Sequence, residues 1–466
     1  LVTVDANPID AIWLDRPPAP LGAITPHKLR FAGESTAAKI TRVRKAIGSS
    51  QGLLISDPHN LAWLFNIRGS DVSYTPLPLG WGYLPLEGRP VVFVDGRKVT
   101  PASRQTLSRH AEVLEPDALL KFVEDLARQG ARVAFDAATV PAYLTQAIDR
   151  AGGKAEIGAD PITLMKAKKN AFELAGARAA HERDGAAMTS FLAWLAAEAP
   201  RGRLTEIDAV KALETFRRAS PALKDLSFPT IAGAGPNSAI PHYRVSEQSN
   251  RKIERGILLI DSGAQYEDGT TDITRTIAVG RPSTLMRDRF TRVLKGHIAA
   301  ARAVFPAETN GAQIDAMARA ALWRAGLDFD HGTGHGIGSY LSVHEGPQRL
   351  AKTGTAALAP GMIVSNEPGY YAGGAFGIRI ENLVVVEARA IPGGERPMLG
   401  FETLTLAPID LSLVEPKLMD ADEIAWLDDY HARVRKTLSP RVDSSTRAGL
   451  AKATRRLAVA KRPASS

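Results

Sequence analysis

The sequence predicts an α+β protein in two unlike halves, and three observations carry that reading. Residues 37–160 alternate short apolar strands with amphipathic helices, the pattern of an α/β unit. Beyond residue 160, long helices are interleaved with antiparallel hairpins, which favours α+β over a doubly wound parallel sheet. No fixed-period repeat runs through the 466 residues, so a solenoid or propeller is excluded.

Each element has a local cause. Residues 1–36 are rich in proline and turn residues and read as a lead-in linker. Leu53–Ile55 is a short apolar strand, Pro58–Phe65 a helix, and Pro90–Val94 a strand stopped by Asp95-Gly96. Asp117–Arg128 and Val140–Ala151 show helical periodicity on either side of the strand Arg132–Phe135. Gly152-Gly153 and the segment to Pro161 mark a boundary. Leu164–Ala199 then reads as one long alanine-rich helix, followed by a helix at Glu206–Ala219. Strands are expected at Gly256–Ile260, Thr271–Val279, Met362–Ser365 and Ile378–Glu387, with helices at Leu285–Val304 and Gln313–Ala325. The units expected are 1–36, 37–160, 161–410, and a C-terminal extension over 411–466.

Composition narrows the chemistry. With no cysteine in the chain, disulfides, thiolate zinc sites, iron–sulfur clusters and cysteine nucleophiles are excluded. No apolar run approaches the ~18 to 20 residues of a membrane span. The net charge of +8 is concentrated at one end: His431–Ser466 carries ten Lys/Arg against the single acid Asp443. The first 430 residues therefore net −1, which argues against a nucleic-acid-binding face on the body.

Five segments place ionisable residues where the pattern expects burial. Asp261 closes the apolar run Gly256-Ile-Leu-Leu-Ile, and Asp272 opens a β-branched strand where acids are disfavoured. Glu267-Asp268-Gly269 between them is turn chemistry, so the two strands form a hairpin. A two-residue loop at Glu267-Asp268 sets Gly263 opposite Asp272 and leaves Asp261 a same-face diagonal neighbour. A four-residue loop would set the two acids directly opposite. A loop at Asp268-Gly269 would part them by roughly 13 Å, and only the first two registers, or a bulge, let the pair share an ion. The third segment, His331-Gly-Thr-Gly-His335-Gly-Ile-Gly, is followed by His344-Glu-Gly-Pro, and its glycines let backbone approach a ligand closely. Glu367 follows the apolar strand Met362–Val364, and alternation puts Arg379 and Glu381 on one strand face. Four buried acids would repel unless paired; two divalent cations cancel them, with His335 as a neutral fifth ligand. A donor set with one imidazole and otherwise oxygen favours Mn²⁺, with Co²⁺ or Zn²⁺ as substitutes. His242, His331 and His344 are left for proton handling.

The ordered set Asp261, Asp272, His335, Glu367, Glu381 resembles the pita-bread metallopeptidases, and within them the aminopeptidase P branch. Phe228-Pro-Thr-Ile, Pro241-His242-Tyr243, Asp268-Gly-Thr-Thr-Asp272, His344-Glu-Gly-Pro and Ile378-Arg-Ile-Glu-Asn carry the likeness, as does Trp63–Asp71 earlier. It runs from about Leu1 to His431. The resemblance implies a creatinase-like α/β domain ahead of a pita-bread catalytic domain. It also leads us to expect that the additional N-terminal domain of three-domain members is lacking, and that the basic tail exceeds the family's length.

The resemblance further implies hydrolysis of the first peptide bond of peptides with proline second, through a hydroxide shared by two metal ions. Asp261 and Asp272 would hold one ion, His335 and Glu367 the other, with Asp272 and Glu381 bridging. Glu367 would relay a proton, His242 and His344 would bind the carbonyl, and Arg379 would orient a ligating carboxylate. Tyr371 and His331 would line the proline side, with Arg68 also among the substrate-binding residues. A homodimer in the cytoplasm is expected. A dipeptide-only prolidase and a catalytically silent binding scaffold are the alternative readings.

Overall fold

The structure is a computed structural model that describes residues 7–457. The cations Lys461 and Arg462 of the basic tail lie outside the described residues.

The first half is built on a six-stranded mixed sheet in the spatial order Glu112–Leu114, Val91–Phe93, Trp81–Pro85, Gly52–Ile55, Arg132–Asp136, Lys154–Gly158. Gly52–Ile55 pairs parallel with Arg132–Asp136 and antiparallel with Trp81–Pro85. Strand alternation drives both faces into cores: Leu53 and Ile55 join one apolar cluster, while Leu54 joins the other. Helices Ala118–Arg128 and Ala142–Arg150 cover the Leu54 face through Leu119, Val123, Leu144 and Ile148. The outer strand Lys154–Gly158 occupies what the sequence suggested was a boundary; its side chains are half-buried or exposed, so it carries little hydrophobic signal. The lead-in also joins the fold, since Ile24 is buried and Thr25–Pro26 pairs with Ile67–Arg68.

The expected single helix over Leu164–Ala199 is two helices, Pro161–Ala167 and Ala171–Glu198. Asn170 breaks it. Its side chain accepts from the Phe172 and Glu173 backbone N–H groups, while Glu173 accepts from the Asn170 N–H. This reciprocal cap stops one helix and starts the next, although the alanine-rich composition reads straight through it.

In the second half the expected hairpin takes the two-residue-loop register. Tyr266 pairs with Gly269, and the same register continues as Ser262 with Ile273 and Asp261 with Thr274. Gly263 therefore faces Asp272, and Asp261 is its diagonal neighbour. Ile231–Ala234 adds a third strand. A six-stranded sheet, ordered Phe305–Pro306, Met398–Thr403, Asn382–Arg389, Ile363–Asn366, Gly334–Gly336, Glu345–Leu350, forms the other wall. Helices Thr284–Ala301 and Gly311–Trp323 lie against each other beside this sheet. The expected strand Ile378–Glu387 is interrupted: Phe376–Arg379 and Asn382–Arg389 belong to different sheets, and Ile380 and Glu381 form the joint.

Candidate metal centre

Strand ends from both walls bring the acids together. Asp261 is in Gly256–Ser262, Asp272 directly precedes Ile273–Val279, and His335 is in Gly334–Gly336. Glu367 follows Ile363–Asn366, and Glu381 occupies the joint between two strands. Asp272, His335 and Glu381 each offer a ligand atom within 4.8 Å of the others. His335 Nε2 lies 3.3 Å from Glu367 Oε1 and 3.5 Å from Asp272 Oδ2. Asp261 is tied in through Arg379, whose Nη2 is 2.6 Å from its Oδ2 and whose Nε is 3.9 Å from Glu367 Oε2.

Supporting groups fix these side chains. Thr274 Oγ1 donates to Glu381 Oε2 at 2.8 Å, and Ser365 Oγ donates to Glu367 Oε1 at 3.0 Å. Neither was singled out in the sequence, although each lies two residues along a strand from a candidate acid, Thr274 after Asp272 and Ser365 before Glu367. That same-face spacing was the available signal. Behind Glu381, Arg275 donates to the Glu381 carbonyl at 2.6 Å, and to Asn382 Oδ1 and Tyr430 Oη.

The donor set fits divalent cations on three counts. Asp261 Oδ1 and Asp272 Oδ1 are buried with no hydrogen-bond partner, an arrangement that costs free energy unless a cation or donor reaches them. His335 Nδ1 lies 3.0 Å from the Gly336 carbonyl, which can only accept, so Nδ1 carries the proton and Nε2 presents a lone pair. Burial pulls His335 down to about 3, so it is neutral near pH 7 and turns an Nε2 lone pair toward Glu367 and Asp272, as a metal ligand would.

The acids themselves are strained by proximity. Burial first, then the charges of Glu381 and Asp261, hold Asp272 well above the usual carboxylate range. Burial, Glu367 and Asp261 do the same to Glu381. Burial lifts Glu367 to about 7 against the opposing pull of Arg379. An acid whose folded pKa exceeds its unfolded value contributes stability below about pH 4 and loses it as pH rises through the folded pKa. Chelation is therefore expected to lower the melting temperature, and to lower it more at pH 8 than at pH 5. Thermal melts with and without chelator at both values check this; an unchanged melt at pH 8 after verified metal removal would contradict a shared ion site.

The remaining candidates divide. His344 is exposed at the mouth, its ring edge-on to His335 with centroids 4.1 Å apart. His242 is exposed and close enough that its charge acts on both His331 and His344. Tyr371 Oη is 2.7 Å from Arg379 Nη1 and 2.8 Å from His331 Nε2. Arg379 can only donate, so the Tyr371 hydroxyl passes its own hydrogen to His331 Nε2. His331 Nδ1 is 2.8 Å from the Gly332 carbonyl, and burial lowers the ring to about 4. Both nitrogens of the ring are thus hydrogen-bonded, which fixes its orientation.

Arg68 is not brought to the site at all. It is buried, and its guanidinium donates to the carbonyls of Tyr340, Ser339, Ala62 and Ile67. Those bonds use four of its five N–H donors on backbone. A sequence motif cannot distinguish a buried arginine that braces backbone from an exposed one.

Comparison with known proteins accords with this geometry. The sequence profile of metallopeptidase family M24 matches residues 175–388, and that of the creatinase/prolidase N-terminal domain matches residues 15–173. A probable Xaa-Pro aminopeptidase P of Aspergillus flavus is 41% identical over 454 residues, 93% of this chain and 69% of that protein. The chain belongs to the aminopeptidase P branch of the M24 metallopeptidases. The structure of an X-prolyl aminopeptidase from Caenorhabditis elegans, described as a cytosolic enzyme with a dinuclear active site, superposes with a TM-score of 0.93 at 33% identity. That match covers 98% of this chain and 76% of the other. The Xaa-Pro dipeptidase of Bacillus anthracis superposes at 0.65 with 28% identity, covering 81% of this chain and 99% of its own. Two expectations are corrected. An M24 chain lacking its usual N-terminal domain is not what is found, since the creatinase/prolidase N-terminal domain is matched. The C-terminal region of the family matches residues 397–457, so the basic segment after His431 is within the family's length at least to residue 457.

Proposed function

We propose that this chain is a metal-dependent Xaa-Pro aminopeptidase, removing the first residue from peptides whose second residue is proline. The observation that carries the reading is the group of four acids and a neutral histidine with two orphaned carboxylate oxygens, in a chain of this family. Asp261 and Asp272 would hold one ion, His335 and Glu367 the other, with Asp272 and Glu381 shared. Two divalent ions would supply an activated water at neutral pH and an electrophile for the scissile carbonyl. The oxygen-rich set with one imidazole favours Mn²⁺.

The chain's own residues do the rest. Glu367, tied to Ser365 and facing His335, would relay a proton. Arg379 orients Asp261 through its guanidinium while bracing Tyr371. His344 and His242 stand at the mouth, where an N–H can donate to a carbonyl oxygen as negative charge develops on it. The ring faces of His331 and Tyr371, fixed by their mutual hydrogen bond, would form the proline wall. Proline offers that wall a rigid ring and an amide with no hydrogen to satisfy. A homodimer and a cytoplasmic location accompany this reading; light scattering of the purified chain tests the first.

The prolidase alternative differs only in what may follow the proline. The 41% identity to a probable Xaa-Pro aminopeptidase P supports the aminopeptidase reading. The test is kcat/KM with Mn²⁺ for matched Xaa-Pro, Xaa-Pro-Xaa and Xaa-Ala-Xaa peptides. The proline tripeptide should be cleaved, and the alanine tripeptide should fall roughly 10- to 200-fold below it, as for loss of ~1 to 3 kcal/mol of hydrophobic contact. Cleavage of the dipeptide alone would make the chain a prolidase, and equal tripeptide rates would make it a general aminopeptidase.

A further inference from the structure

His344 is exposed, yet Glu345 after it is buried between two lysines. Lys169 Nζ is 2.5 Å from Glu345 Oε1 and Lys166 Nζ 2.9 Å from its Oε2. Both lysine side chains are buried too, at 1% and 4% exposure, and Lys169 also donates to the Lys166 carbonyl at 2.9 Å. The lysines belong to the connector between the two halves. Lys166 is in helix Pro161–Ala167, whose Ile162 is buried in the first-half core, and Lys169 is in the break before the long helix.

The other end of the same loop is pinned from the same side. Leu341 is fully buried in the apolar core of the first half, far in sequence from the rest of that core. Arg68 donates to the carbonyls of Ser339 and Tyr340, and Gln265 Nε2 donates to the Leu341 carbonyl at 2.7 Å. Ser339–Glu345 is therefore a bridge anchored at both ends, with His344 next to one anchor. Buried ion pairs of this kind add little net stability over apolar replacements, and their use is to fix geometry.

We infer that Lys166 and Lys169 are positioning residues for catalysis: by clamping Glu345 they set the place of the His344 imidazole, so the connector and first half complete the active site. The inference rests on the proposed role of His344.

The test is a double-mutant cycle in the Mn²⁺-loaded chain of 466 residues. The clamp is removed as Lys166→Met/Lys169→Met/Glu345→Gln in the wild-type and His344→Ala backgrounds; the buried Glu173 beside Lys169 keeps Lys39 as its neighbouring cation. In the wild-type background kcat should fall roughly 10- to 100-fold, as for a misplaced catalytic group, with KM within threefold and metal content unchanged. In the His344→Ala background the same change should cost nothing further, because the group it positions is gone. Lys166→Met alone keeps the Lys169 pair and serves as the milder folded variant, with a smaller loss in the same direction. An equal loss in both backgrounds, or an unchanged kcat in both clamp variants, overturns the clamp. If His344→Ala itself turns over at the wild-type rate, the role proposed for His344 is what fails.

Discussion

Glu381→Ala is expected to lose bound metal and to lower kcat/KM by at least ~10³-fold, since several kcal/mol of charge stabilisation go with the ions and each 1.4 kcal/mol is a factor of ten. The fold should survive. The backbone at Glu381 is held independently of its side chain, by its N–H to the Thr274 carbonyl and by Arg275 on its own carbonyl. Removing this carboxylate also relieves the repulsion that lifts Asp272. The variant should therefore melt higher than the wild type when both are stripped of metal near pH 8, even as it loses activity. Metal analysis, kcat/KM and melts on the same preparations check all three. Wild-type metal content with wild-type activity would remove Glu381 from the centre.

His344→Ala is expected to behave differently. Its ring packs on His335 without taking a place among the converging carboxylates. Metal content should stay at the wild-type level while kcat falls ~10²-fold or more, the size of a lost carbonyl donor or proton-transfer partner. If the substitution empties the site instead, His344 is a ligand and the assignment of His335 is wrong. Together the two variants separate holding the ions from using them.

Much of this centre was legible in the sequence because acids in apolar strands have few reasons to be there. The hairpin itself was legible from Glu267-Asp268-Gly269, but the sequence left three registers open, and the pairing of Tyr266 with Gly269 selects the two-residue loop. What was missed depends on information that periodicity does not carry. Alanine at nearly every turn of Leu164–Ala199 conceals the break, and the signal was the Asn170-Ala-Phe-Glu173 cap. Arg379 and Glu381 were read on one strand, yet the chain changes sheets between them; no local pattern marks a strand that leaves one sheet for another. The fate of His331 and Arg68 was decided by partners distant in sequence, Tyr371 for the first and the Ser339–Tyr340 carbonyls for the second. Thr274, Ser365 and Arg275 went unnoticed because hydroxyls and an arginine in a strand have many ordinary uses.

The central claim is that two ions, held by Asp261, Asp272, His335, Glu367 and Glu381, enable release of the residue before proline. Its most direct test is a titration of Mn²⁺ into the chelated, desalted chain, following bound metal and the free first residue from a Xaa-Pro-Xaa tripeptide in the same samples. The account predicts no release from the metal-free chain and a rise that saturates at two ions bound per chain. Full activity without metal, or an Xaa-Pro dipeptide as the released product, would contradict it.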